Sequence, residues 1–121
     1  MSIAVDLHAL GERLAEYGSS AYLLSVSEGD RPHVVSVQVR LDGDHLAADV
    51  GRRTATNLGD RPTATFLWPP PEDGAYSLIV DGVALTSDDS GPLAIRPTAA
   101  VLHRIADAPG DGATCLPLTA T

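Results

Sequence analysis

The amino-acid sequence predicts a mainly β protein: a six-stranded antiparallel barrel with an N-terminal helix and a short mid-chain helix. Three observations carry this expectation. Apolar residues recur at helical spacing in the segment that ends at Tyr17. From Ala21 onward the apolar period changes to two, the signature of half-buried strands. Clusters of Gly, Pro and Asp then separate the alternating runs at short intervals, as in small all-β domains.

The elements follow in order. In VDLHALGERLAEYG, Leu7, Leu10, Leu14 and Tyr17 form one helical stripe, with Asp6 as the N-cap and Gly18 as the stop. This helix is expected across one opening of the barrel, without a chemical role. AYLLSVS reads as a strand, EGDRP as a turn and HVVSVQVRL as a second strand. On that second strand Val35, Val37, Val39 and Leu41 share one face, and Val34, Ser36, Gln38 and Arg40 share the other. DGDH supplies an Asp-Gly hairpin signal before the third strand, LAADV. Thr54 to Leu58 reads as a short helix closed by Gly59 and Pro62. TATFLW is a fourth strand ended by Pro69, Pro70 and Pro71, and YSLIVDGVALTS is a fifth with Gly82 as a bulge. DDSG turns the chain into PLAIRPTAAVLHRI, the last strand, where Pro97 requires a bend or an edge. Residues 1–105 are therefore expected to form one domain, and residues 106–121, rich in Pro, Gly and Thr, a flexible tail.

The chain has 121 residues and a formal net charge of −8, and its eight basic residues are all arginine. Such a balance argues against nucleic acid and anionic membranes, where phosphate neutralisation dominates binding. An anionic ligand would have to be caught locally by a few placed groups. The one cysteine, Cys115, excludes an intrachain disulfide, and His8, His33, His45 and His103 stand at no metal-ligand spacing, so no metal is expected. Met1 to Tyr17 lacks the uninterrupted apolar stretch of a signal peptide, and no apolar run is long enough for a bilayer, so a cytoplasmic location is expected.

Against this acidic background GRRTATNLGDRP, from Gly51 to Pro62, stands out as cationic and hydroxyl-rich. Arginine at a helix start opposes the helix dipole, which favours an anionic partner there. The order GDRPHVVSV, DGDHLAADVG, RRTATNLGDRP, TATFLW, LIVDGVAL and PTAAVLHR resembles the pyridoxamine 5′-phosphate oxidase-like superfamily of flavin-binding split β-barrels. The resemblance covers roughly Ser20 to Arg104 and rests on the order of the pieces, since each alone is short. It implies a homodimer binding FMN, or a deazaflavin such as coenzyme F420, at the subunit interface. By the same resemblance Gly51, Arg52, Arg53 and Thr54 would meet the cofactor phosphate, Val34 and Ser36 would lie beside the ring, and Asn57 matches a common Asn-Leu pair near the helix end. Where the family pattern often reads Ser-x-Lys-x-x-Asn-Leu, this chain has Arg52, Thr54, Asn57 and Leu58, so the lysine is missing. The sequence also has no counterpart of the basic and aromatic C-terminal segment with which pyridoxamine phosphate oxidases hold their substrate, and that activity is not expected.

Each feature also has a plainer reading. Arg52 and Arg53 can be surface charge, Thr54 and Thr56 capping or surface residues, and Asn57 a structural cap. Trp68 can stack on a ligand ring, but barrel core or subunit interface is favoured, and His103 with Arg104 reads as an exposed strand end. No serine sits in a nucleophile elbow, and there is no phosphate loop or dinucleotide fingerprint. Catalytic residues therefore stay unassigned, consistent with hydride chemistry carried by a cofactor. Three functions remain open: an FMN- or deazaflavin-dependent oxidoreductase of a small organic molecule, a non-catalytic flavin- or haem-binding protein, and a ligand-free barrel.

Overall fold

The alternation of residues 20–103 is realised as a closed antiparallel barrel. The computed structural model describes residues 1–85 and 92–105. The turn expected at 88–91, the tail 106–121 and Cys115 lie outside them. The strands are β1 (Ser2–Ala4), β2 (Ser20–Ser27), β3 (Arg31–Asp42), β4 (His45–Ala48), β5 (Thr63–Trp68), β6 (Ser77–Ala84) and β7 (Leu93–His103). Two helices, α1 (Leu10–Tyr17) and α2 (Arg52–Asp60), complete the described chain, with a 3-10 turn at Leu7–Ala9. The barrel runs β7-β4-β3-β2-β5-β6 and closes through β6 onto β7. The six expected strands are its six staves.

The seventh strand, β1, was not expected. It pairs with the end of β7, Ser2 opposite His103 and Ala4 opposite Val101. Three exposed residues carry no alternation to read; the edge of β7 makes them a strand. Three boundaries also differ. Asp6 caps the 3-10 turn, accepting from the His8 amide at 2.9 Å, and the α-helix begins only at Leu10. The mid-chain helix runs from Arg52 to Asp60, a turn longer than Thr54–Leu58. The β3–β4 hairpin pairs Asp42 with His45, so its loop is Gly43-Asp44 and not Asp42-Gly43. Gly43, at φ 65°, takes the first loop position, as a type II′ turn requires.

The inward faces fill the barrel with Leu23, Val37, Val39, Leu46, Phe66, Leu78, Val80 and Ile95. Trp68 belongs to this core: it is fully buried, its ring centroid lies 5.8 Å from that of Phe66, and its indole N–H donates to the Gly18 carbonyl at 3.0 Å. Helix α1 lies over the barrel end formed by the close of β5 and the start of β6. It ends at Gly18, buries Leu10, and Tyr17 Oη donates to the Tyr76 carbonyl at 2.9 Å. Burial raises the Tyr17 phenol above its ordinary range; the Glu16 carboxylate adds to this and Arg13 opposes it. Helix α2 leaves β4 and enters β5 at the opposite end, with Leu58 in the core.

Two irregularities sit where the sequence signalled them. The β6–β7 register shifts between Asp81 and Gly82, the expected bulge. Pro97 lies opposite Gly82, in the stretch of β7 between the end of β4 pairing at Ile95 and the start of β1 pairing at Val101. Its missing N–H leaves no ladder bond unmade there.

An open strand edge beside an uncapped helix start

Strand β3 is much longer than its neighbour β4. Their pairing covers only Val39 to Asp42, so β3 from Arg31 to Gln38 has β2 on one side and no described strand on the other. Polarity along this edge follows from the ladder. The Val39 amide donates across to Ser19 on the β2 side at 2.7 Å. Antiparallel strands alternate their bonding direction residue by residue, so Val34, Ser36 and Gln38 turn their N–H and C=O groups to the open side. Pro32 shares that phase, and its lack of an N–H explains why a proline is tolerated within a long strand. The same residues point their side chains outward: Val34 is 54% exposed, and Ser36 and Gln38 are also exposed.

Helix α2 follows β4, the strand that stops short of this edge. Ala48, the last residue of β4, is level with Val39, and three connecting residues lead to Arg52. Its N-cap, Gly51, is extended and brings no side chain to accept from the first amides. Only the Gly51 carbonyl is used, accepting from Ala55 at 3.0 Å. The first amides of a helix have no intrahelical acceptor, and they carry the positive end of its dipole. No acidic residue stands in the first turn, whereas Arg52 and Arg53 do, and Asp60 stands at the other end. Every one of these charges is reversed from what the dipole prefers.

The residues expected to form a site separate into two groups. Gly51, Arg52 and Arg53 are exposed at the helix start, and Val34 and Ser36 are exposed on β3. At a rise of about 3.3 Å per residue, Ser36 lies about 10 Å along β3 from the level where β4 stops. Thr54 and Asn57 face inward instead, at 2% and 6% exposure. What Thr54 can present at the helix start is its backbone N–H, and Asn57 Nδ2 donates to the buried Ser25 hydroxyl at 3.2 Å, pinning α2 to β2. His33 lies opposite Ser25 in the ladder, and its Nδ1 is buried with no hydrogen-bond partner. His103 and Arg104 are remote from this region: His103 Nδ1 meets Ser2 Oγ at 3.1 Å, and Arg104 lies over the Tyr76 ring. Among the described residues no group of His, Cys, Asp and Glu could hold a metal ion, and no helix is long and apolar enough to cross a membrane.

Sequence reasoning missed the open edge. The signal for it was Pro32 inside a strand.

A mainly β barrel of six staves, with one edge of its long strand β3 left unpaired beyond β4, is a split β-barrel fold. Solved structures with this fold include an F420 reductase (TM-score 0.60, 19% identity, 74% of this chain and 94% of that one). A FAD-binding protein from Mesorhizobium loti aligns with TM-score 0.65 and 11% identity over 84% and 96% of the two chains. HutZ, the haem storage protein of Vibrio cholerae, aligns with TM-score 0.57 and 16% identity over 78% and 91%. Among curated proteins, Mb0449c of Mycobacterium bovis and MT0457 of Mycobacterium tuberculosis are each 40% identical over 129 aligned residues, covering 93% of this chain and 90% of theirs. The chain belongs to the family of these mycobacterial proteins. No family model matches it.

Proposed function

We propose that the protein binds FMN or a deazaflavin of the coenzyme F420 type along the open β3 edge and uses it to oxidise or reduce a small organic substrate. The observation that carries this reading is the reversed charge of α2. Two arginines at an uncapped helix start are unfavourable alone and become favourable once an anion is seated there. Guanidinium groups grip phosphate in bidentate fashion, so Arg52 and Arg53 can stand in for the family's missing lysine. Beyond the helix start, the backbone of Ser36 and Val34 offers donors and acceptors in alternation. That pattern suits the imide edge of a flavin or deazaflavin ring, which is itself a donor between two acceptors. When bound, such a cofactor supplies hydride transfer. The chain's own residues hold the phosphate, orient the ring and cover one face of it.

The fold shared with the F420 reductase and the FAD-binding protein supports this reading. The fold shared with HutZ supports a second one, in which the cleft holds haem. Haem has no imide edge, and the two ligands separate by spectrum.

The reading includes a homodimer. Across β2, β5, β6 and β7 the ladder aligns the outward residues Tyr22, Leu67, Ile79 and Val101, with Val34 nearby on β3. Tyr22 remains 43% exposed. A second copy would cover this row and close the cleft over the ligand.

The test is titration of the purified protein with FMN, coenzyme F420 and haem in parallel, followed by fluorescence and absorbance, with sedimentation of the same samples. Saturable binding of FMN or F420 at micromolar concentration by a dimer is expected. The double variant R52A/R53A should bind at least about tenfold more weakly, the loss of roughly one charge-assisted contact. Unchanged affinity would remove the phosphate role, a Soret band alone would favour the haem reading, and a monomer would overturn the shared cleft.

A further inference from the structure

The four strands that carry the outward row of Tyr22, Leu67, Ile79 and Val101 hold almost no charge. In β2, β5, β6 and β7 the only carboxylate is Asp81 and the only arginine is Arg96, in a chain with 16 acidic residues and a net charge of −8. Both are exposed, and each stands beside a buried core residue, Val80 or Ile95, so alternation turns them to the outer face. The bulge holds Asp81 in place: Thr65 Oγ1 donates to Oδ1 at 2.7 Å, and Thr98 Oγ1 donates to the Asp81 carbonyl at 3.2 Å. Its Oδ2 keeps no partner among the described residues. Arg96 is opposite Val83 and Asp81 is opposite Ala99, so the two lie diagonally across the β6–β7 ladder, and within one copy they form no ion pair.

Two copies of so acidic a chain repel, and a self-contact needs a surface from which the acidic surplus is absent. The surplus stands on other elements: Glu12 and Glu16 on α1, Glu28 and Asp30 between β2 and β3, Asp42 and Asp44 at the β3–β4 hairpin. The four-strand face is apolar along its row and balanced in charge beside it. Covering it would take Asp81 out of water, and a covered carboxylate without a cation is strongly destabilising. In a two-fold contact, residue i of one copy meets residue j of the other, and j meets i. One aspartate and one arginine on such a face satisfy each other twice. Arginine suits this place, because its planar fork takes a carboxylate in bidentate fashion. His103, the other basic side chain of these strands, already has its Nδ1 on Ser2 Oγ.

We infer that Asp81 and Arg96 form a reciprocal ion pair between two copies of this chain, and that this pair selects the outer face of β2, β5, β6 and β7 as a self-recognition surface. Thr65 is the positioning residue that holds Asp81 with one oxygen free. The inference rests on the homodimer in the reading above and is independent of any ligand. Apolar area supplies the contact, and the charges decide which copy fits and in which orientation.

The experiment is a charge swap read by sedimentation and native mass spectrometry of the full chain, with circular dichroism spectra to confirm the fold. D81R sets two arginines against each other at both contacts of a dimer, and R96D sets two carboxylates against each other. Each should weaken self-association by at least about tenfold, the low end for close charge pairs across an interface. The double variant D81R/R96D restores opposite charges and should dimerise within about threefold of wild type. Mixed one to one, D81R and R96D chains should form heterodimers in preference to either homodimer, because both contacts then join opposite charges. A pair acting within one chain would be restored in the double variant and not in the mixture, which would overturn the inference. R96D leaves the Thr65–Asp81 bond in place, so it keeps the test decisive if D81R disturbs the bulge. Single variants that dimerise as tightly as wild type would overturn the ion pair while the homodimer stands. A wild-type protein that stays monomeric at micromolar concentration would overturn both.

Discussion

Gly82 offers a sharp test of how tightly the barrel closes. It sits at the β6–β7 bulge, opposite Pro97, and is buried. A methyl group added there would lie 2.6 Å from Ile95 Cγ2 and 2.8 Å from the Arg96 carbonyl oxygen. Ile95 is fully buried in the core, and the other neighbour is backbone, so neither can swing aside. Overpacking of this kind costs up to about 3 kcal/mol. Replacing a strand glycine returns up to about 1 kcal/mol through the unfolded chain, leaving a net loss near 2 kcal/mol. For a domain of about 100 residues, at about 4–8 °C per kcal/mol, Gly82→Ala should lower the melting temperature by about 8–16 °C. The assay is thermal unfolding followed by circular dichroism, with Gly59→Ala as the control. A Cβ at Gly59 meets nothing within 4 Å inside α2, so that variant should melt at or slightly above the wild-type temperature. In I95A/G82A the clash with Cγ2 is gone, and the double variant should lose less than the sum of the singles. Melting of Gly82→Ala within about 2 °C of wild type would refute the steric argument and show that β6 and β7 can separate at the bulge.

Two further outcomes follow from buried polar contacts. Asn57→Ala removes the donor to Ser25 and leaves a buried hydroxyl behind, so it should destabilise by about 1–3 kcal/mol; urea midpoints of N57A, S25A and the double variant measure the coupling, and strictly additive losses would mean that the bond contributes nothing. Tyr17 contributes to the alkaline limb of stability. Its phenol is raised in the folded state chiefly by burial, so its contribution is fully present below about pH 10, the unfolded value, and is lost as pH rises through the folded one. Stability of the wild type should therefore fall above about pH 10 more steeply than that of Tyr17→Phe, and identical pH profiles of the two proteins would remove Tyr17 from the account.

The functional reading places ligand recognition on backbone and arginine, and leaves the barrel interior to packing alone. That division is consistent with the character of the interior. Phe66 and Trp68 fill it, and the indole N–H of Trp68 is spent on Gly18. Of the readings open for Trp68, the core one holds, because the close of β5 lies under α1 and away from α2. An anionic ligand must also approach a molecule of net charge −8. The paired arginines at α2 then act as a local exception to an unfavourable field, and added salt should weaken binding less than it would for a basic protein.

What the sequence determined by itself was whatever depends on neighbours along the chain. Alternation gave the inward and outward faces of β3, and Val37 and Val39 are buried while Val34, Ser36 and Gln38 are exposed. Prolines stopped β5 at Trp68, Gly18 closed α1, and the bulge at Gly82 was marked by a glycine inside a strand. These are local effects, set by steric limits on φ and ψ and by the two-residue period. Only the tertiary structure decided which strand edges meet and which stay open. Residues of β1 carry no pattern, and become a strand because β7 outruns β4. The loop of the β3–β4 hairpin moved by one residue because pairing of Asp42 with His45 sets the register, and the dipeptide Asp-Gly alone does not. Thr54 and Asn57, read as site residues beside Arg52 and Arg53, face the barrel because α2 must also seal its end. The unpaired edge from Arg31 to Gln38 follows from a difference in length between paired strands, which no local pattern of residues records.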